Sequence, residues 1–399
     1  MKKILLICFF LLSFVSAYSQ DTISYTEYWS NGKKATSGFK TKDKINIGKW
    51  TWFYEDGKIL SCGEYNNKGY KVGLWQWFYK NGELKKQEIL SGNGENKAYY
   101  ENKQLYYSIN VVDGKKTGNY KEYFKNGKIK MIGVYKDDEL NGMAVFYYEN
   151  GNKDMEGNLK NGKKDGKWIY YYMTNGNKES EGNFVNDKEN GKWTYYYETK
   201  ELWREGEYMN GKRVGLWNTY YENGKLLHKG SYIDGKEGGI WESWFSNGNT
   251  QMRGEFIEGK MNGKWETFNE DGSHKSDITY SNGIKNGTET IYDENGDIYS
   301  KADYKDGKLN GRWEKYFQGK IVEKGSYANE NKDGKWVFFE INGNPIREQS
   351  FKDGQMDGKW VEYYGNGKKY KEGEYSNGKK TGSWKTYDKD GKTVSVIKF

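Results

Sequence analysis

Proline and cysteine are nearly absent from this sequence, and the shortage of cysteine excludes a protein stabilised by disulfide bonds. Proline occurs once in 399 residues, at Pro345, and cysteine twice, at Cys8 and Cys62. Cys8 lies in an N-terminal apolar stretch, so a processed chain keeps one cysteine and forms no intramolecular disulfide. The stability of such a chain must come from packing.

Long apolar runs are also missing beyond residue 19, so the mature chain contains no predicted transmembrane segment. Charged residues do not cluster there either. Once Lys2 and Lys3 are set aside, 62 basic and 56 acidic side chains remain, interleaved along the chain. Nucleic-acid binding requires basic residues gathered on one face, so that function is excluded. Aromatic residues make up 18 % of the chain, and disordered chains lack aromatics. The composition predicts strands joined by tight turns, with aromatic rings supplying the buried area.

The first 19 residues form a separate segment. Lys2 and Lys3 precede an apolar stretch at 4–15, and Ala17-Tyr18-Ser19 has the small residues of a cleavage site. This pattern predicts a signal peptide over residues 1–19, so we expect the mature chain to be exported to the periplasm, the cell surface or the medium.

The rest of the chain repeats one phrase. The triplet Gly-Lys-Trp occurs six times, and its glycine or an equivalent one marks fifteen units from Gly48 to Gly382. Ten of the fourteen intervals between these anchor glycines are 24 residues, and the others are 21, 23 or 25. So regular a period predicts one structural unit stacked on itself. We therefore expect a single repeat domain over 48–399, preceded by an incomplete N-terminal capping unit at 20–47.

Each unit has the pattern of a β-hairpin. Tryptophan lies two residues after the anchor in eleven units, and an aromatic residue lies five after it in all fifteen. Asn-Gly or Asp-Gly follows, the strongest short hairpin signal. A two-residue loop at 56–57 would set Trp50 opposite Gly63 and Gly48 opposite Tyr65, with Phe53 on the other face. The pattern thus predicts that each large ring covers a glycine on the neighbouring strand.

The run Gly-Glu-Tyr-x-x-Gly-Lys-x-x-Gly-x-Trp, at 206–217 and 373–384, resembles the MORN repeat and in particular its bacterial variant form. The resemblance covers essentially the whole mature chain. It implies an all-β fold, a single elongated array of stacked antiparallel β-hairpins with about 15 units of ~24 residues. It also implies a scaffold or partner-binding role, with membrane-lipid contact in some members and an antitoxin label on some bacterial relatives. The family brings no catalytic motif.

No catalytic, cofactor or metal constellation is expected from the residues themselves. The two histidines, His228 and His274, are 46 residues apart, and the repeat places them two units from one another. Carboxylates such as Glu242, Glu266 and Glu314 share one repeat position, which favours a solvated strand position over an acid–base pair. Acid-rich turns at 293–297 and 388–391 lack the length of a calcium loop and fall where each unit turns.

Lysines follow the second turn of several units and are predicted to form a row along one border of the sheet. Such a row could contact an anionic envelope surface, or it could protect the border and keep the protein soluble. These residues are Lys163, Lys212, Lys236, Lys260, Lys308 and Lys379.

The position four residues after the anchor varies more than its neighbours. It is charged or small in some units but aromatic in runs of adjacent units, and exposed aromatic patches mark binding sites. We therefore predict a candidate binding patch that comprises Trp52, Trp77, Phe146, Tyr170 and Tyr195. Extra packing between neighbouring hairpins would explain the same pattern.

From these features we expect an exported, non-catalytic repeat protein that offers an extended protein-binding or scaffolding surface at the cell envelope. The alternative is a module that binds a glycan or another envelope polymer through the aromatic patch. An enzyme would instead need a break in the repeat, and the irregular stretch from Gly82 to Gly118, where Asn96 replaces the tryptophan, is the first place to seek one.

Overall fold

In the computed structural model, residues 22–399 are described, and every regular element among them is a β-strand. The predicted signal peptide at 1–19 lies outside the described residues. Contacts divide the chain into two compact units, Met1–Gly176 and Asn177–Phe399. Over residues 22–399, no helix has the length and apolar character needed to cross a bilayer.

The first unit contains fourteen strands. They are β1 (Thr22–Tyr28), β2 (Lys34–Thr41), β3 (Asn46–Phe53), β4 (Ile59–Tyr65), β5 (Lys71–Phe78), β6 (Leu84–Ile89), β7 (Gly94–Tyr99), β8 (Leu105–Val112), β9 (Lys115–Tyr123), β10 (Ile129–Lys136), β11 (Glu139–Leu140), β12 (Gly142–Tyr147), β13 (Lys153–Lys160) and β14 (Lys163–Tyr171).

The second unit contains nineteen strands. They are β15 (Lys178–Val185), β16 (Lys188–Tyr196), β17 (Leu202–Met209), β18 (Lys212–Tyr220), β19 (Leu226–Ile233), β20 (Lys236–Trp244), β21 (Thr250–Ile257), β22 (Lys260–Phe268), β23 (His274–Ser281), β24 (Ile284–Tyr292), β25 (Ile298–Lys305), β26 (Lys308–Phe317), β27 (Lys320–Ala328), β28 (Asn331–Phe339), β29 (Pro345–Lys352), β30 (Gln355–Tyr363), β31 (Lys369–Ser376), β32 (Lys379–Tyr387) and β33 (Thr393–Lys398).

Within each unit the strands form an antiparallel meander. Strands that follow one another in the chain pair side by side, as β3 does with β4 and β17 with β18. Short β11 and longer β12 both pair with β10. The predicted all-β class and the stacked antiparallel hairpins are confirmed. The hairpin of β1 and β2 precedes the first anchor glycine, with Tyr25 opposite Gly38.

The first turn of most repeats is longer than the predicted two-residue loop, although Phe317 pairs with Lys320 across a two-residue turn. The Tyr221 N–H donates to the Lys225 carbonyl at 2.8 Å, and the Gly224 N–H donates to the Tyr221 carbonyl at 2.9 Å, which leaves a three-residue loop. Gly224 alone has positive φ, at 79°, as in a type I turn followed by a left-handed glycine. The same bonds bracket 55–57, so the prediction of a two-residue loop at 56–57 was wrong.

The second turn is the two-residue one. Asn210 and Gly211 both have positive φ, at 53° and 82°, as a type I′ hairpin requires. The turn glycine also bonds to the previous repeat: the Gly211 N–H donates to the Glu189 carbonyl, and the Gly235 N–H to the Arg213 carbonyl, each at 2.9 Å.

The predicted register is confirmed although the loop length was wrong. Trp50 pairs with Gly63 and Gly48 with Tyr65. The longer loop would shift this register by one residue. A bulge between Trp52 and Phe53 restores it, because the partner strand carries an extra residue there.

Each core tryptophan covers a glycine, but on the strand before its own. A Cβ placed on Gly38 would lie 2.3 Å from the Trp50 ring, and one on Gly63 would lie 2.2 Å from the Trp75 ring. The prediction that each ring covers its directly paired partner in the same hairpin was therefore wrong. The ring leans across to the preceding hairpin, so the couple joins two successive repeats.

The anchor glycine allows that lean through its conformation. Gly215 has φ of 63° and Gly263 of 68°, and a Cβ on either would meet nothing within 4 Å. These glycines lie at a β-bulge, where the pairing of β17 with β18 shifts between Glu205 and Glu207. At the bulge, the carbonyl of the residue after the covered glycine accepts its hydrogen bond from the indole N–H. Trp217 Nε1 donates to the Glu207 carbonyl at 3.2 Å.

A tyrosine after the hairpin strand also connects successive repeats. The Tyr54 hydroxyl donates to the Phe78 carbonyl at 2.8 Å, and the Tyr221 hydroxyl to the Trp244 carbonyl at 2.9 Å. Tyr79, Tyr100, Tyr148, Tyr197 and Tyr364 make the same bond. This repeated bond aligns the first turns along one border.

The irregular stretch keeps the fold without the tryptophan. Asn96 is buried, and its Oδ1 accepts the Ile89 N–H at 2.5 Å. Ile109 and Val111, each 1 % exposed, fill the space near it. Aliphatic packing and one buried amide therefore replace the indole there.

Candidate functional site

The predicted patch residues lie on the same face as the core tryptophans. Trp52 lies between Trp50 and Trp75, with ring centroids 5.6 and 5.4 Å away, and Trp77 lies 6.0 Å from Trp75. Both Trp52 and Trp77 are half-buried. They extend the aromatic stack of the first unit and present part of each ring to solvent.

The other three predicted residues are also half-buried, and they belong to different units of the chain. In the first unit, the Phe146 ring lies 6.2 Å from Trp168, and the Tyr170 hydroxyl accepts a hydrogen bond from Lys164 Nζ at 2.7 Å. In the second unit, Tyr195 lies between Trp193 and Trp217 at 5.9 and 6.3 Å. Burial and a hydrogen bond to Tyr208 raise the pKa of the Tyr195 hydroxyl.

Cations lie over many of these rings. Lys71 Nζ is 4.0 Å from the Trp75 ring, and Lys332 Nζ is 3.7 Å from the Trp336 ring. Lys86 Nζ lies 5.1 Å from the Trp77 ring. An ammonium over an indole face is an attractive arrangement, so the aromatic face is also positively charged.

The opposite face carries tyrosine–carboxylate pairs. The Tyr196 hydroxyl donates to Glu181 at 3.1 Å, and the Tyr220 hydroxyl to Glu205 at 3.3 Å. Lys192 Nζ lies 2.8 Å from the same Glu205 carboxylate. The phenol and ammonium donors fix these carboxylates on the strand.

One cluster on this face brings together residues that the sequence placed apart. Ligand atoms of Glu266, His274 and Asp277 lie within 4.8 Å of one another. His274 Nε2 is 2.9 Å from Asp277 Oδ1, and its ring stacks between Phe268 and Tyr292 at 5.0 and 4.3 Å. The sequence-based expectation rested on the separation of the two histidines alone and did not foresee the carboxylates beside His274.

The carboxylates of this cluster already have cationic partners. Arg253 Nε contacts Glu266, and Lys264 Nζ lies 3.0 Å from Glu266 and 3.2 Å from Asp277. The hydrogen bond from Arg253 holds the pKa of Glu266 below its usual value. Two carboxylates neutralised by two cations offer little attraction to a metal ion, so the cluster is chemically an ion-pair network.

Two cross-strand pairs could have revealed this cluster from the sequence. Glu266 pairs with Asp277, and Phe268 pairs with His274 across the same hairpin. The bulge between Thr267 and Phe268 shifts the register. Counting from a two-residue loop therefore set the wrong partner beside His274.

The other chemical candidates remain apart. Glu242 pairs with Lys229 and with Arg253 on its two sides, and Glu314 Oε2 accepts the Tyr316 hydroxyl at 2.7 Å. Burial together with that bond raises the pKa of Tyr316 to about 12. His228 is exposed, and partial desolvation of its ring by neighbouring residues lowers its pKa.

The acid-rich turns use their acids to build the turn. Asp293 Oδ1 accepts the N–H groups of Asn295 and Asp297 at 2.9 and 3.0 Å. Asp388 Oδ1 does the same for Asp390 and Lys392 at 3.0 and 2.8 Å. This is the aspartate-capped turn expected for these positions.

The residues match a family model described as "MORN repeat variant" in nine segments, at 47–67, 71–89, 116–137, 140–161, 189–210, 213–234, 261–282, 285–306 and 356–377. In the second unit, the segment at 189–210 corresponds to β16 and β17, and the segment at 213–234 to β18 and β19. The chain belongs to the MORN-repeat family. The predicted resemblance is confirmed, and the MORN unit is the hairpin whose first turn holds three residues.

Solved structures of TcdB2-TccC3, with and without Cdc42, are also similar to this MORN chain. TcdB2-TccC3-Cdc42 matches 94 % of it at 12 % identity with a TM-score of 0.15, and TcdB2-TccC3 matches 94 % at 13 % identity with a TM-score of 0.16. The chain spans about a quarter of the length of those chains, 23 % and 24 %. None of the curated proteins matches it.

Proposed function

We propose that this MORN protein is an exported, non-catalytic scaffold that binds another protein along its sheet at the cell envelope. One observation carries the proposal: the residues that build the sheet repeat, whereas the partly exposed positions differ from hairpin to hairpin. Four residues after the anchor, the half-buried side chain is Trp52 in one repeat, Thr219 in another and Lys315 in a third. A rigid frame with variable outward residues is the arrangement that repeat proteins use for extended recognition surfaces.

Export is proposed from the N-terminal sequence alone, with its basic start, apolar stretch and small-residue cleavage site at 17–19. A non-catalytic role is supported by the state of the carboxylates. A general acid needs a raised pKa, but hydrogen bonds to Lys369 and Arg253 lower the pKa values of Glu372 and Glu266. These groups are set for ion pairing.

The aromatic face favours one alternative, a module that binds a glycan or another acidic envelope polymer. Sugar rings stack on exposed aromatic faces, and Trp52 and Trp77 are both partly exposed. Lys86 near the Trp77 ring would add attraction for an acidic sugar. The same residues thus serve either function, and only the captured partner separates them.

The test is affinity capture from envelope extract with four forms of the mature chain. Wild type is compared with Trp52→Ala/Trp77→Ala and with Phe146→Ala/Tyr170→Ala/Tyr195→Ala. The control is Phe53→Ala/Phe78→Ala, which removes half-buried rings of the same hairpins from the opposite face. Circular dichroism confirms that each form is folded before capture.

We expect a defined protein to be captured by wild type and by the control but lost by one of the two test variants. Capture of polysaccharide alone would replace this proposal with the glycan-binding alternative. A folded wild type that captures neither would contradict both functions.

A further inference from the structure

An aliphatic patch interrupts the polar face of the second unit. Its five side chains are largely exposed: Met209 58 %, Leu216 49 %, Ile233 69 %, Ile240 64 % and Ile257 49 %. We call these five residues the aliphatic patch. Single exposed apolar residues are ordinary on a protein surface, but a contiguous group marks an interaction site.

All five side chains lie on the face opposite the tryptophans. Tyr208, Tyr232 and Phe256 pack against the core tryptophans, so the residue after each of them points to the other face. Those following residues are Met209, Ile233 and Ile257. Leu216 and Ile240 precede Trp217 and Trp241 and share the same face by the same alternation.

The aliphatic residues that follow the anchor occur in two successive repeats of this region. The residue after the anchor is Leu216 or Ile240 in two neighbouring repeats, but Lys192 and Lys264 hold this position on either side. The Ile233 side chain lies against Gly238, where a Cβ would come within 2.8 Å of its Cδ1. Because residue 238 is a glycine, the Ile233 side chain can lie close to the strand that carries Ile240.

Lysines border the patch on the same face. Met209 pairs directly with Lys212, Ile233 with Lys236, and Ile257 with Lys260, so each aliphatic residue at the second turn has an ammonium across from it. Lys212 also reaches Asp234 at 2.7 Å. Directly opposed residues share a face, so the lysines and the aliphatic residues would meet the same partner.

The backbone of this region excludes a strand as the partner. Each strand from β17 to β22 pairs with a neighbour on both sides, so it offers no free edge for β-addition. A helix satisfies its own backbone hydrogen bonds and binds through side chains alone. Aliphatic residues that recur every second strand lie about 9.6 Å apart, close to the rise of about 10.5 Å for seven helical residues.

We propose that the aliphatic patch binds an amphipathic α-helix of a partner protein, with an apolar heptad stripe and flanking carboxylates that face the lysines. The five strands from β17 to β21 that carry the patch span about 19 Å, the length of about thirteen helical residues. This inference deepens the proposed scaffold function and rests on it. It assigns binding to the face opposite the aromatic patch.

The test uses two synthetic helical peptides that share one leucine heptad stripe and differ only in their flanking residues, glutamate or lysine. Fluorescence anisotropy measures their affinity for the full mature chain. We expect the glutamate peptide to bind about tenfold or more tightly than the lysine peptide, because close charges across an interface select the partner. Ile233→Glu/Ile240→Glu abolishes binding, and Lys236→Glu/Lys260→Glu reverses the preference.

Ile346→Glu is the matched control, since Ile346 is an exposed isoleucine outside the patch, and it leaves binding unchanged. Equal affinity for both peptides, binding of neither, or an equal loss in the control overturns the helix proposal. Self-association of the chain that Ile233→Glu/Ile240→Glu removes, measured by sedimentation, would assign the patch to a second copy and also overturn it. Binding of neither peptide by a chain that still captures an envelope protein through the aromatic patch would overturn this inference and keep the scaffold function.

Discussion

At the scale of single residues, two kinds of glycine do different work in the same repeat. Gly206 lies under the Trp217 ring, where a Cβ would come within 2.2 Å of Cδ2, whereas Gly215 has open space around it but a φ of 63°. The first glycine is needed for its lack of volume and the second for its left-handed backbone. The same substitution, made at each of the two glycines, can separate the need for a small volume from the need for a left-handed backbone.

Asparagine tolerates the left-handed conformation but still has a side chain. We expect Gly215→Asn to lower the free energy of unfolding only slightly. Gly206→Asn should cost about 1–3 kcal/mol or more, because it forces the Trp217 ring to move. Urea denaturation of both variants checks this, and equal losses would show that conformation and volume matter alike at the two sites.

The indole N–H separates tryptophan from other large rings. Trp265 Nε1 donates to the Glu255 carbonyl at 3.2 Å, whereas within residues 22–399 the buried N–H of Trp384 has no hydrogen-bond partner. We expect Trp265→Phe to cost about 1–3 kcal/mol more than Trp384→Phe, because it strands the Glu255 carbonyl. The comparison is matched, since both rings are at most 2 % exposed and each covers a glycine. Equal losses in thermal denaturation would assign the cost to lost ring volume.

At the scale of elements, the hairpin of β22 and β23 carries an ion-pair network that should respond to pH. The hydrogen bond from Arg253 lowers the pKa of Glu266 from its usual 4.5. Because this pKa is lower in the folded state, the carboxylate stabilises the fold at neutral pH. That contribution is lost as the pH falls through the lowered pKa.

We therefore expect Glu266→Gln to lower the Tm at pH 7, and we expect the difference from wild type to shrink toward pH 3 as the native carboxyl becomes protonated. Glu294→Gln, at an exposed turn position, should match wild type at both pH values. A Tm difference that stays constant from pH 7 to pH 3 would rule out an ionic contribution from Glu266.

At the scale of the whole molecule, the repeat acts as the unit of construction. Tryptophan–glycine couples, tyrosine bonds and turn bonds each join one repeat to the next, as for Trp217 with Gly206 and Tyr221 with Trp244. When contacts run only between neighbours, a whole repeat can be removed without disturbing the others.

Deletion of residues 215–238, one repeat from anchor to anchor, should leave a folded β-protein with a slightly lower Tm. Val214 would then precede Gly239, and Trp241 would cover Gly206 as Trp217 does now, so the bulge and the couple re-form. Deletion of 215–226 removes half a repeat and should abolish cooperative unfolding, because the remaining strand faces lose their alternation. Far-ultraviolet circular dichroism during heating measures both, and equal behaviour would contradict repeat-based construction.

The sequence was informative wherever one position recurs. The strands, the pairing of Trp50 with Gly63 and the family follow from a 24-residue period that is visible in the anchors. The sequence did not reveal the cluster at His274. Its geometry depends on a β-bulge, and the length of the neighbouring turn does not by itself fix where that bulge lies. The aliphatic patch was missed because a single turn isoleucine such as Ile233 is ordinary by itself.

The amino-acid sequence by itself determined an all-β array of hairpins, because alternation and period are properties of the chain. It also determined that aromatic rings and glycines must be matched. Only the tertiary structure decided which glycine each ring covers, since a ring can lean to either neighbouring strand and the bulge at the anchor selects the preceding one. The structure likewise decided which residues share an exposed surface, because Ile233 comes to lie against Gly238, on the strand that carries Ile240, only once two successive hairpins pair.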